Sequence, residues 1–490
     1  MQTYANGQVA YNTHASADGF LAYVNQFEQT SFRVKDGQVE WWEYSPAFDD
    51  WQDSYGCDSV DVFYHAGHGG TDGGSGNYGA PLGSAWGNKT SLNSSEMTIG
   101  DQRLRYLFLA TCEGCMVFAP NNPIRTWNPP NHGMRMVFGA TGNIYDNPDY
   151  GTNFWNHWRG GDSFSQAWQD ALLDAGSAQQ PSSTACGSSA NDASTRLFNE
   201  RLFYWDTVSR NWYWWRWVGN APAAPAGLSF EVPRELHFPQ LTPRAARRPH
   251  LLARLQAHGI ELPDGLPAGE VEGLHLSDAG PRVTILHDGA LCIEHRPVVP
   301  QHSSLTEAQV AEVAGRAVAA FGDGLRIVRV SPALHAGGST AGDGTLIDAE
   351  VYEHVVIFRQ EVAGLPVITP GAGEVRMHVD HDGDVRRIID TRLDIADVRD
   401  QGPEPLIRPT PSGEKRRVHQ LSSQDEVLEA LRTASSTDGV EPAPEISRLE
   451  PGSVEIGYSV RGTDLVPVAR GTIEFGNEDY RMLRAVEVPL

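Results

Sequence analysis

Val60-Asp61-Val62-Phe63-Tyr64-His65-Ala66-Gly67-His68-Gly69-Gly70 is the stretch that decides the fold, together with its counterpart Tyr106-Leu107-Phe108-Leu109-Ala110-Thr111-Cys112-Glu113-Gly114-Cys115. Each opens on a short run of β-branched, aromatic or aliphatic residues, the composition of a buried strand. Each then breaks into a loop that carries histidine or cysteine. Up to Val218, such runs alternate with glycine-rich turns and helical patterns, which predicts an α/β domain with a mostly parallel sheet flanked by helices. In open sheets of this kind ligands bind outside the carboxyl ends of the strands, so neighbouring strands would bring His68 and Cys112 to one crevice.

That pairing has a chemical meaning. A thiol is a weak nucleophile, whereas an adjacent imidazole can take its proton and later protonate a leaving amine. The glycines around His68 allow close approach of a substrate. The amides of Gly69 and Cys112 are the natural donors to an oxyanion if the two loops meet.

Phe63-Tyr64-His65-Ala66-Gly67-His68-Gly69-Gly70 resembles the strand-then-Gly-His-Gly motif of caspases, metacaspases, gingipains and separases. Leu107-Phe108-Leu109-Ala110-Thr111-Cys112-Glu113-Gly114 resembles their strand-then-Cys-x-x-Gly nucleophile motif, most closely in the bacterial CHAT-type peptidases, and the order of His before Cys is the family's. Met134-Arg135-Met136-Val137-Phe138-Gly139-Ala140 is similar to the next sheet strand, and Thr152 to Trp158 and Ser163 to Ala175 to the helices of that fold. The resemblance runs over residues 15 to 218. It implies a caspase-like (clan CD) cysteine peptidase with His68 as general base, Cys112 as nucleophile, and the Gly69 and Cys112 amides as oxyanion hole. No metal or cofactor is implied, and the partner is a protein or peptide substrate. Ala110 and Thr111 stand where metacaspases carry an Asp, so a basic P1 preference is not inherited.

A competing reading uses the same residues. His65-x-x-His68 with Cys112-x-x-Cys115 has the spacing of a tetrahedral zinc site, which would make a zinc-stabilised or catalytically inactive binding module. The glycine-rich strand-end context favours the peptidase. Cys57, Cys186 and Cys292 read as packing residues. Trp212-Tyr213-Trp214-Trp215-Arg216-Trp217 reads with Leu202-Phe203-Tyr204-Trp205 as a hairpin around Ser209-Arg210-Asn211 that buries aromatics at a sheet edge. Asp146, Asp149 and Asp162 read as a solvated acidic face rather than calcium ligands.

The chain has 490 residues, more than one core usually serves. Residues 1–219 are expected to form the peptidase domain and 220–250 a linker, beginning with Asn220-Ala221-Pro222-Ala223-Ala224-Pro225-Ala226-Gly227 and ending in the basic Pro243-Arg244-Ala245-Ala246-Arg247-Arg248-Pro249. Residues 251–490 read as an α+β region, split near 400–420, with a helix at Leu305 to Phe321 and an Asp382-Gly383 turn. Within it Val355-Val356-Ile357-Phe358 to Val367 and Glu374-Val375-Arg376-Met377-His378 to Val385 resemble the propeptide domains of thermolysin-type metallopeptidases, which implies an intramolecular contact that restrains the peptidase as in a zymogen. The net charge of −24 repels phosphate backbones and anionic lipid, and no run approaches the roughly 20 apolar residues of a membrane span. Neither nucleic acid nor membrane is expected as a partner. Five cysteines, an odd count, favour a reducing, cytoplasmic compartment, and Met1 to Gly7 lack a secretory signal's charge and apolar pattern. Secretion would require a signal already removed.

Overall fold

The computed structural model describes residues 1–26, 32–45, 49–118, 120–219, 230–233, 235–243, 248–260, 275–276, 281–285, 289–322, 324–341, 344–399, 408–409, 415–416, 421, 423–436, 446–450, 452–476 and 480–490. Of the linker expected over 220–250, residues 220–229, 234 and 244–247 lie outside the described residues, as does most of the split near 400–420. The described remainder is not a plain linker, since Phe238–Leu241 pairs as a strand with Ile395–Arg399 and a helix starts at Arg248.

The two decisive runs form β1 (Val62–Ala66) and β2 (Tyr106–Ala110), and β3 (Met136–Ala140), β4 (Pro181–Gly187) and β5 (Trp212–Val218) follow. β1 and β2 pair in parallel with Phe63 opposite Leu107 and Ala66 opposite Ala110, and β2 pairs in parallel with β3. Helices α1 (Thr13–Val24), α2 (Tyr150–Arg159) and α3 (Phe164–Ala175) belong to the same half. The Phe108 and Phe138 rings stack at 4.2 Å, and Phe20, Phe154 and Trp168 close around them. These aromatics form one buried core, whose burial from water holds the half together.

The sheet is mixed rather than mostly parallel. Between β3 and β4 the chain runs through two consecutive helices instead of one, which returns it to the end of the sheet it left. β4 therefore runs antiparallel to β3, and β5 antiparallel to β4.

The sheet also continues into the second half. β6 (Arg282–Ile285), β7 (Leu291–Glu294), β8 (Leu325–Ser339), β9 (Leu346–Val362), β10 (Glu374–Asp380) and β11 (Val385–Asp390) extend it in the order β1-β2-β3-β4-β5-β8-β9-β10-β11-β7-β6. The expected hairpin around Ser209 does not form. β5 is an interior strand, with Arg216 opposite Ser183 on one side and His335 on the other. Residues 202–205 instead make a loop in which Phe203 packs on Phe164 at 4.6 Å.

The helix expected at Leu305 to Phe321 is α4 (Glu307–Val318), started by a capping box between Thr306 and Gln309. A second, six-stranded sheet contains β12 (Glu455–Arg461), β13 (Asp464–Gly476) and β14 (Arg481–Pro489), with β13 paired to both others, and also Phe238–Leu241, Ile395–Arg399 and Ile446–Leu449. The halves are joined by buried ion pairs: Arg387 Nη2 donates to Asp162 at 2.6 Å and Arg376 Nη2 to Asp174 at 2.8 Å. Among the described residues no helix is long and apolar enough to cross a membrane.

Candidate active site

β1 and β2 deliver His68 and Cys112 to the same edge of the sheet. The ladder carries on past the last paired residues, as the Gly67 amide donates to the Ala110 carbonyl at 3.2 Å. Gly69 then lies directly against the cysteine loop: a Cβ there would stand 2.8 Å from the Cys112 carbonyl oxygen and 2.9 Å from Thr111 Cβ. Only glycine fits this approach without displacing the Cys112 main chain.

The turn after Cys112 is held in an uncommon shape. Glu113 has φ of 54°, a left-handed conformation that costs a non-glycine residue on the order of 1 kcal/mol or more. Its amide donates to the Gly142 carbonyl at 3.1 Å, and its Oε2 accepts from the Thr71 amide at 2.7 Å, so both sides of the turn are pinned. Thr111 Oγ1 accepts from the Tyr78 hydroxyl at 2.9 Å.

His68 is fully buried, and its own amide donates to the Tyr4 hydroxyl at 2.9 Å. Its Nε2 lies 2.7 Å from the Val9 carbonyl. A carbonyl can only accept, so Nε2 carries the proton. Burial pulls the ring's pKa down to about 4, which keeps it neutral and leaves the lone pair on Nδ1, which makes no hydrogen bond among the described residues but has the Arg481 main chain beside it. The Cys112 thiol is equally buried, and its pKa is pushed up to about 12 by burial. Its Sγ accepts from the Ile144 amide at 3.3 Å. The resting pair is therefore a neutral thiol and a neutral imidazole, each bonded elsewhere.

The zinc arrangement does not assemble. A tetrahedral shell with bonds of roughly 2.0–2.3 Å needs its four donor atoms within about 4 Å of one another. Among the described residues, the sets of three or more His, Cys, Asp or Glu donors that close are His157 with Asp162 and Asp170, and Asp53 with Asp58 and Asp101. Neither contains His65, His68, Cys112 or Cys115. His65 Nδ1 instead pairs with the Tyr44 hydroxyl at 2.8 Å, and Cys115 packs at the C-terminal end of β3, its amide on the Ala140 carbonyl at 3.1 Å.

The acidic residues also have structural partners. Asp146 takes the Tyr11 and Asn12 amides at 2.6 and 3.0 Å, and Arg387 occupies the space between Asp162 and Asp170 at 2.6 and 3.0 Å. They do not form one face, and Asp146 and Asp162 are buried rather than solvated.

Sequence reading did not find Val9, Tyr4 or Ile144. Val9 and Ile144 act through main-chain atoms, which no side-chain motif announces. Phe475, whose ring centre is 5.6 Å from that of His68, comes from β13 at the far end of the chain.

Residues 2–218 match the model of a family described as a domain of unknown function (DUF6345). The match ends on the last residue of β5. No curated protein matches the chain.

Proposed function

We propose that this chain is a cysteine endopeptidase of caspase-like type, with Cys112 as nucleophile and His68 as general base. The observation that carries the reading is the meeting of the two strand ends: parallel neighbours β1 and β2 place Gly69 of the histidine loop in contact with the carbonyl of Cys112. A neutral imidazole with a free Nδ1 lone pair is the species a base must be. In the proposed cycle Nδ1 takes the thiol proton, the thiolate adds to the scissile carbonyl, and the collapsing intermediate expels the amine with the proton returned from His68. Water then hydrolyses the thioester, releasing the acid and the thiol. The Gly69 and Cys112 amides are the proposed oxyanion donors.

A catalytically inactive caspase-like binding module is the second reading. It is favoured by one observation, the engagement of Sγ with the Ile144 amide in a site closed to water.

A panel of peptidyl electrophiles, with the modified residue located by mass spectrometry, separates the two. The peptidase reading requires a thioether on Cys112 whose formation is lost in His68→Ala. Peptide hydrolysis that survives Cys112→Ala would sink it, as would failure of every electrophile on a chain whose Cys112 is demonstrably accessible.

A further inference from the structure

The lid over His68 and Cys112 is made by main chain from the far end of the sequence. Leu483 pairs with Tyr145 as in a parallel sheet: its amide donates to the Ile144 carbonyl at 3.0 Å, and its carbonyl accepts from the Asp146 amide at 2.7 Å. Two residues earlier Arg481 pairs antiparallel with Gly69. The segment Arg481-Met482-Leu483 thus spans from the histidine loop to the loop that holds the thiol. Ile144 joins the two directly, giving its amide to Cys112 Sγ and its carbonyl to Leu483.

The hairpin inserts one face. Phe475 and Met482 are cross-strand partners in β13 and β14, and both are buried in the core that contains Tyr4, Ala66 and Cys112. The Arg481 main chain lies beside the His68 loop through its pairing with Gly69. Outer contacts secure the segment: Gln8 Nε2 donates to the Tyr480 carbonyl at 2.8 Å, and the Arg484 guanidinium sits 4.2 Å above the Tyr11 ring.

This pairing is not required by the sheet to which the hairpin belongs. The amide and carbonyl of Leu483 are used outward, on residues 144 and 146, while its neighbours pair with β13. Outward main-chain pairing with alternate side chains in pockets is how an extended peptide is taken up as an added strand.

We propose that Gly69 and Ile144–Asp146 form a strand-accepting cleft for an extended peptide with an apolar residue at the position of Met482, and that Arg481–Leu483 is its resident occupant, competing with substrate. This rests on the cysteine-peptidase reading and names its substrate class and its restraint.

The test uses the full-length chain and two variants. Leu483→Pro removes the amide that reaches Ile144, whereas Phe475→Ser withdraws the ring beside His68 and leaves every main-chain bond in place. Near-UV circular dichroism and melting curves establish that each variant is folded, and Phe475→Ser stands alone if Leu483→Pro is not. Alkylation of Cys112 by iodoacetamide, followed by mass spectrometry, should be about tenfold faster in the variants, the effect of losing one or two such contacts. The peptide Tyr480–Val486 added in trans should slow it again, and a scrambled peptide should not. Unchanged alkylation in the folded variants overturns the proposal, and so does faster alkylation that the peptide fails to slow. Faster alkylation slowed by the peptide, with no reaction toward peptidyl electrophiles, upholds the cleft and sinks the peptidase reading instead.

Discussion

The Ile144 amide donates to Cys112 Sγ at 3.3 Å, so the proposed nucleophile rests as a hydrogen-bond acceptor inside the protein rather than as a thiolate facing solvent. Burial sets its pKa at about 12 against a weaker opposing pull from that amide. The native full-length chain should therefore react with iodoacetamide at neutral pH more slowly than a free peptide thiol does. Its rate should climb about tenfold per pH unit beyond the point, near 8.5, where an ordinary thiol levels off. Stopped time courses at several pH values check this, and a rate at Cys112 that saturates below pH 8 would mean an activated, solvent-connected thiol.

Substitution should separate the two cysteines of the Cys112-x-x-Cys115 loop. In a chain opened by Phe475→Ser, Cys112→Ala and His68→Ala should each lower peptide hydrolysis by about a thousandfold or more, since groups acting as one unit are not additive. Cys115→Ala, which removes a buried thiol at the C-terminal end of β3, should stay within a few-fold of the parent. Its cost should fall on stability, about 1–2 kcal/mol for a truncated buried side chain. Equal loss of activity in both cysteine variants would remove Cys112 from its assigned role.

Gly69 offers a purely steric prediction. Gly69→Ala would set a Cβ 2.8 Å from the Cys112 carbonyl oxygen, with Thr111 Cβ at 2.9 Å. Neither neighbour is the end of a flexible side chain, so the two loops must part, at about 1–3 kcal/mol. Gly73→Ala in the same glycine-rich loop meets nothing within 4 Å and should be silent. Chemical denaturation of the two variants compares them directly, and equal midpoints would dismiss the contact.

What the sequence disclosed follows from how local each signal is. β1, β2, α2 and α3 were legible because apolar runs of strand length and helical spacing are written in consecutive residues. The antiparallel sense of β4 follows from those same two helices, because two in succession between β3 and β4 return the chain to the end of the sheet it left, so that reversal too is written locally. Arg216 finds its second strand partner in His335, more than a hundred residues away, and no periodicity records that pairing. One signal was present: Trp212 to Val218 is apolar at nearly every position instead of alternating, the mark of a strand covered on both faces. At the site, His68 and Cys112 were visible as residue types in a motif. Val9, Ile144 and Leu483 contribute main-chain atoms, which almost any residue other than proline could have supplied.

The ion pairs that join the halves predict how stability depends on pH. Burial alone would raise the Asp170 and Asp174 carboxyls, but Arg387, His157 and Arg376 around Asp170, and His157 and Arg376 around Asp174, outweigh it and hold both below the ordinary carboxylate range. Glu353 is held low in the same way by Arg386 and His378. A carboxylate depressed in the folded state contributes stability that is present above its unfolded pKa, about 4, and is lost as pH falls toward the folded value. His157 has the opposite sign. Its pKa is raised because Asp174, 2.6 Å from Nε2, outweighs burial, so its contribution is full below about pH 6.5 and fades as pH rises through the higher folded value. The melting temperature should thus be highest between about pH 5 and 6.5, drop steeply below about pH 4 and decline gently above neutrality. Arg387→Met should cost about 3–5 kcal/mol at pH 7, because it leaves Asp162 and Asp170 buried without their shared guanidinium. It should also flatten the acid limb, since Asp170 then has less reason to stay ionised. Calorimetric scans of both proteins from pH 3 to pH 8 make the comparison. A wild-type profile flat down to pH 3, or an Arg387→Met chain as stable as its parent, would show that this network does not hold the two halves together.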